Sequence, residues 1–201
     1  MERRFFTMEL RAVEEGGRTV AGYAAVFGRS SLLLYNSFKE QIDRGAFAGS
    51  IGGDVRALWN HNDDIVLGRT KAGTLRLRED AHGLGVEIDM PQARPELLES
   101  IQRGDVDQMS FAFEVEDEEW GKDADGVPLR TLRKVRLFEV SPVAFPAYPD
   151  TTIAAMRGNA LGDMPQIPAH LRRDGQGDDA ELAQGRTAVR RRRLALIDIA
   201  E

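Results

Sequence analysis

The chain is 201 residues long and holds three histidines and no cysteine, which excludes a thiol nucleophile, a disulfide framework and a cysteine zinc cluster and makes each histidine easy to weigh. His61 ends the strand-like run Val55-Arg56-Ala57-Leu58-Trp59-Asn60 and is followed by the polar Asn62-Asp63-Asp64. That placement suits a general base, because a strand fixes the backbone while a loop leaves the ring reachable. It equally suits a structural histidine. His82 sits in a glycine turn and His170 in a proline-rich tail, and both read as solvated. His61-Asn62-Asp63-Asp64 combines imidazole with carboxylates, which are ordinary zinc or manganese ligands. No second histidine stands at a ligand-like interval, so no metal is expected. No cofactor is expected either: there is no phosphate-cradling glycine loop, no GxSxG elbow and no HExxH helix.

Ser110 lies in Gln108-Met109-Ser110-Phe111-Ala112-Phe113-Glu114-Val115. Period-two alternation puts Met109, Phe111, Phe113 and Val115 on one face, and Ser110 with Ala112 on the other. The bulky face would pack a core, while a small hydroxyl beside a small alanine leaves room for a substrate backbone. The alternative is a strand serine satisfied by its neighbours. Glu139 follows Val135, Leu137 and Phe138 and precedes Val140-Ser141-Pro142-Val143-Ala144-Phe145-Pro146, one of the most apolar stretches of the chain. Burying a carboxylate there unpaired would cost several kcal/mol, so it requires a partner. A histidine N–H is one candidate; Arg133 and Arg136 are the others.

The elements that must position these groups read mostly as short strands, over 5–13, 19–27, 55–61, 65–69, 74–78, 84–90, 108–116 and 129–140. Turn signals at Glu15-Gly16-Gly17, Gly52-Gly53, Lys71-Ala72-Gly73, Ala81-His82-Gly83 and Asp123-Ala124-Asp125-Gly126 separate several of them. Two short helices are predicted, over 44–51 and over 95–101, the second opening on Pro95 and presenting Leu97, Leu98 and Ile101 on one face. Many strands with few helices give a mainly β, α+β fold, a closed or partly closed antiparallel barrel flanked by short helices.

The charge balance is 27 Lys+Arg against 33 Asp+Glu, a net −6. Residues 158–201 hold seven basic and seven acidic side chains, so the whole net charge belongs to 1–157. An acidic domain argues against nucleic-acid binding, which needs a basic face. No apolar run approaches the roughly 20 residues of a membrane span, Met1-Glu2-Arg3-Arg4 leads into no signal-peptide core, and the lack of cysteine suits a reducing cytoplasm. Three segments are expected: a domain over 1–157, a Gly-, Asp-, Gln- and Pro-rich flexible linker over 158–185, and a basic amphipathic segment over 186–201 built on Arg190-Arg191-Arg192-Arg193 and Leu194, Leu196, Ile197 and Ile199.

Gly22-Tyr23-Ala24-Ala25-Val26-Phe27, Arg44-Gly45-Ala46-Phe47, Leu58-Trp59-Asn60-His61-Asn62, Leu67-Gly68-Arg69-Thr70, Gly83-Leu84-Gly85-Val86-Glu87, Met109-Ser110-Phe111-Ala112-Phe113 and the run from Leu137 through Glu139-Val140-Ser141-Pro142 to Pro149 follow one another in this order across 1–157. As an ordered set they resemble the prohead maturation proteases of tailed bacteriophages, relatives of the herpesvirus assemblins. The resemblance implies an assemblin-like β-barrel. It also implies a serine endopeptidase acting inside the assembling prohead, in the cytoplasm of the infected bacterium, on scaffold, on major capsid protein extensions and on itself. The histidine of the family's W-N-H-type motif falls on His61 and the serine of its M-S-F-type motif on Ser110. The third member, acidic in phage enzymes, falls on Glu139, with His170 lying outside the matched domain. Protein substrates and self-association are the partners so implied, with no nucleic acid and no membrane. The contrasting readings are a capsid assembly protein that keeps the barrel without activity, and a bacterial barrel left by a prophage.

Overall fold

The computed structural model describes residues 1–6, 11–12, 17–144 and 165–172. Strands make up 51% of these residues and are joined by one α-helix. In chain order they are β1 (Glu2–Phe6), β2 (Arg11–Ala12), β3 (Thr19–Val26), β4 (Lys39–Ile42), β5 (Arg56–Trp59), β6 (Asn62–Arg69), β7 (Leu75–Glu79), β8 (Gly83–Asp89), helix α1 (Pro95–Gln102), β9 (Gln108–Lys122) and β10 (Pro128–Val143). One sheet runs β1-β9-β10-β5-β6, with β4 also paired to β10; the other runs β2-β3-β8-β7. The core lies where Val20, Ala24, Val86 and Ile88 of the second sheet meet Met109, Phe111, Leu132 and Val140 of the first. Phe111 anchors it, stacked on Phe113 at 5.0 Å between centroids and edge-on to Phe47 at 5.4 Å.

The expected mainly β class is observed, and the barrel takes a more open form: the six-stranded sheet curls into a half-barrel. It is not all antiparallel, because β10 runs parallel to both β4 and β5. Strand β10 can pair so widely because its 16 residues outlast any one neighbour, β5 meeting it at Glu139 and Val140 and β4 from Leu129 to Leu132. The helix expected over 44–51 is instead a chain of turns. Gly45 adopts φ +86, and the backbone bonds Ala46 N–H to Asp43 O, Ala48 N–H to Gly45 O and Ser50 N–H to Phe47 O span three residues, not four. Helix α1 begins at Pro95 as expected and buries Leu98 and Ile101 against the core, ending where Gly104 turns to φ +78.

Residues Met1–Ile167 form one compact unit and Pro168–Glu201 a second. Most of the linker over 158–185, and the whole basic segment over 186–201, lie outside the described residues. Of the second unit, the described part is the short 3-10 turn Ala169–Leu171, which carries His170, exposed.

Candidate active site

The hairpin β5–β6 turns through two residues, Asn60 and His61, with Trp59 and Asn62 paired on either side. Both turn residues have left-handed backbones, φ +52 and +59. Two consecutive positive φ values define the hairpin turn whose twist matches that of its strands, and asparagine and histidine tolerate the region better than most L-residues. His61 is therefore a turn residue. The expected strand stops at Trp59 and the expected polar loop Asn62-Asp63-Asp64 is the start of β6. The turn is tied to the end of β10: Asn60 N–H donates to Pro142 O at 3.0 Å, Ala144 N–H donates to Asn60 Oδ1 at 2.9 Å, and His61 N–H donates to Ser141 Oγ at 3.3 Å.

Glu139 owes its position to a bulge. Leu137 pairs with Phe113, while Glu139 pairs with Ala112, so two steps along β10 match one along β9 and Phe138 is the extra residue. A regular ladder would have kept Glu139 on the core face with Leu137 and Phe113; one inserted residue turns every later side chain over. Glu139 and Ser141 consequently share the face of Ala112 and Ser110, Ser141 directly opposite Ser110. There the Glu139 carboxylate accepts from two donors, His61 Nδ1–H on Oε1 and Ser141 Oγ–H on Oε2 at 2.6 Å. Its partner is the histidine; Arg136 pairs with Glu114 and lies over the Phe138 ring, and Arg133 pairs with Glu119. With Nδ1 carrying the proton donated to Glu139, the basic lone pair of a neutral imidazole lies on Nε2.

Ser110 is fully buried, not at a surface cleft, and its hydroxyl donates to the Arg4 carbonyl of β1 at 2.9 Å. Strand β1 lies beside it in the ladder, Phe5 opposite Ser110, and is further tied down by a buried ionic cluster that the sequence does not announce. Arg4 forms a two-pronged pair with Glu40, Nε to Oε1 at 2.5 Å and Nη2 to Oε2 at 2.9 Å, and Arg130 reaches the same Glu40 at 3.0 Å. Arg4, Glu40 and Arg130 are each no more than 4% exposed. Burial raises the Glu2 carboxyl, but hydrogen bonds and charge from Arg130 and Arg4 outweigh it and hold the group below the ordinary glutamate range.

His61 and Glu139 are thus in direct contact, and Ser110 stands one strand away from them, across the ladder from Ser141. His82 lies apart in its turn, edge-on to Tyr23 at 4.7 Å. The sequence marks Ser141 only as a second small polar residue two positions from Glu139, hence on its face of the strand. The arrangement is suited to acyl transfer: a hydroxyl, an imidazole and a carboxylate that fixes the imidazole tautomer.

No curated protein and no solved structure matches the chain. The family model of the caudovirus prohead serine protease matches residues 6–165, most of the sequence and all of the strands described above from β2 to β10. The chain belongs to the caudovirus prohead serine protease family.

Proposed function

We propose that the chain is the serine endopeptidase of prohead maturation, with Ser110 as nucleophile, His61 as general base and Glu139 as the group that orients His61. The observation that carries this reading is the His61–Glu139 hydrogen bond, formed on the face of the sheet that also carries Ser110. In the reaction Ser110 turns its hydroxyl from the Arg4 carbonyl toward His61 and attacks the scissile carbonyl. His61 Nε2 takes the hydroxyl proton and returns it to the leaving amine, and water then hydrolyses the acyl-enzyme by the reverse relay. Glu139 stabilises the imidazolium formed on the way. The half-barrel completes, in this reading, an assemblin-like barrel. The substrates are scaffold, the extensions of the major capsid protein and further copies of the protease, met inside the assembling prohead in the cytoplasm of the infected bacterium.

The test is cleavage of co-expressed scaffold and coat protein, with purified particles examined by gel. Ser110→Ala and His61→Ala each abolish processing while circular dichroism keeps its β signature. Full processing by Ser110→Ala overturns the assignment.

A further inference from the structure

We propose that Ser141 is a positioning residue of this site, its hydroxyl clamping the Glu139 carboxylate to the backbone of the His61 turn. The inference rests on the reading of His61 and Glu139 given above. It starts from a closed ring of hydrogen bonds. His61 N–H donates to Ser141 Oγ, Ser141 Oγ–H donates to Glu139 Oε2, and Glu139 Oε1 accepts from His61 Nδ1. The histidine is therefore held at its backbone and at its ring by two residues of one strand.

Each contact has a mechanical consequence. The last torsion of a glutamate side chain is broad, so a single hydrogen bond leaves the plane of the carboxylate free to rock. Two donors, one per oxygen, fix that plane and with it the direction in which Oε1 meets the imidazole. Ser141 itself is well held: it is fully buried, and Pro142 after it confines its backbone to the extended region. Asn60 adds the matching restraint on the other side, bonding to Pro142 O through its N–H and to Ala144 N–H through Oδ1. The left-handed backbone of His61, φ +59, persists because these bonds over-determine it.

A hydrogen bond to a charged group contributes about 1.5–3 kcal/mol, and each 1.4 kcal/mol is a tenfold change, so loss of the clamp should slow the activated serine by about 10- to 100-fold. The experiment uses the full chain and needs no substrate: a fluorophosphonate probe, which forms a bond from serine Oγ to phosphorus with loss of fluoride, reports nucleophile activation. Proton NMR of the His61 Nδ1–H, at low field when bonded to a carboxylate, reports the ring. Ser141→Ala is expected to label about 10- to 100-fold more slowly than the unmodified chain and to broaden or shift the His61 signal. Ser141→Cys, close in volume but a weak donor, should repeat both effects if the alanine variant folds poorly. Ser50→Ala is the matched control. Ser50 is another buried serine tied to β10, its hydroxyl bonded to Val135 O and Leu137 N–H rather than to Glu139; its loss lowers stability but leaves labelling rate and resonance in place. An unchanged His61 signal with full labelling in Ser141→Ala and Ser141→Cys overturns the positioning role alone. Labelling that survives Ser110→Ala and vanishes in Ser141→Ala makes Ser141 the nucleophile and overturns it as well. Failure of the unmodified chain to label counts against the proposed function, and the NMR comparison then decides the clamp by itself.

Discussion

At the scale of single residues, the site depends on which way one carboxylate faces. Glu139 takes a proton-bearing nitrogen on one oxygen and a hydroxyl on the other, the contacts that the proposed mechanism uses for orientation and charge support of His61. Glu139→Gln keeps the shape but introduces an amide that can donate to Nδ1 and select the wrong tautomer. Turnover of coat protein is expected to fall on the order of 10⁴-fold, as for the aspartate of the chymotrypsin-type triad. An unchanged rate in that variant, measured beside Ser110→Ala, would transfer the role elsewhere. Two parts of the candidate site were legible in the sequence for different reasons. Alternation alone put Ser110 with Ala112 on a small-residue face, and the cost of an unpaired buried carboxylate alone demanded a partner for Glu139. What alternation hid is the face of Glu139, because a bulge at Phe138 is a three-dimensional event that leaves no mark in an apolar run.

At the scale of elements, cross-strand ion pairs add to the backbone ladders, and that part of the stability is sensitive to acid. Asp89, at the end of β8, accepts from Arg76 of β7 at 2.8 and 2.9 Å and from Thr19 Oγ1 of β3 at 2.8 Å. The Arg76 hydrogen bonds, with the Thr19 hydroxyl, hold the Asp89 carboxyl down to about 2 against an ordinary 3.8. A depressed folded-state value means that the stabilisation is present in full above pH 3.8 and is lost as pH falls through about 2. Arg76→Ala should therefore be less stable than the unmodified chain at neutral pH and should lose less further stability across that acid window. Denaturant melts followed by circular dichroism at steps between the two pH values check this, and equal losses in both proteins would remove the pair from the account. The same charges explain why sequence patterning found some strands and not others. The strands around Val20, Val86 and Phe111 announced themselves by alternation, whereas β4 reads Lys39-Glu40-Gln41-Ile42 and the far half of β9 runs through Asp117-Glu118-Glu119. These are poor strand sequences taken alone. Their ladders with β10 are joined by ion pairs that offset this, Glu40 meeting Arg4 and Arg130, Lys39 meeting Asp123, and Glu118 and Glu119 meeting Arg130 and Arg133, partners that are 12 to 90 residues away.

At the scale of the whole molecule, the family match over 6–165 and the compact unit Met1–Ile167 cover nearly the same part of the chain, the part that holds His61, Ser110 and Glu139. The sequence beyond has its own chemistry, with four consecutive arginines at 190–193 followed by Leu194, Leu196, Ile197 and Ile199. Guanidinium groups pair strongly with carboxylates, and neighbouring aliphatic residues add apolar area to such a contact. We propose that this segment retains the protease on acidic coat or scaffold surface during assembly. Residues 1–157, carrying the whole net charge of −6, are repelled overall by such a surface. Deleting 186–201 should thus leave labelling by the serine probe and peptide cleavage in solution within about twofold of the full chain, since His61, Ser110 and Glu139 all precede the deleted residues. Its copy number in purified proheads should fall, and residual incorporation should respond less to added salt than that of the full chain, since Coulomb attraction between exposed charges is screened within about 8 Å at physiological ionic strength. Normal copy number in proheads built with the truncated protein would refute the retention role without touching the active site.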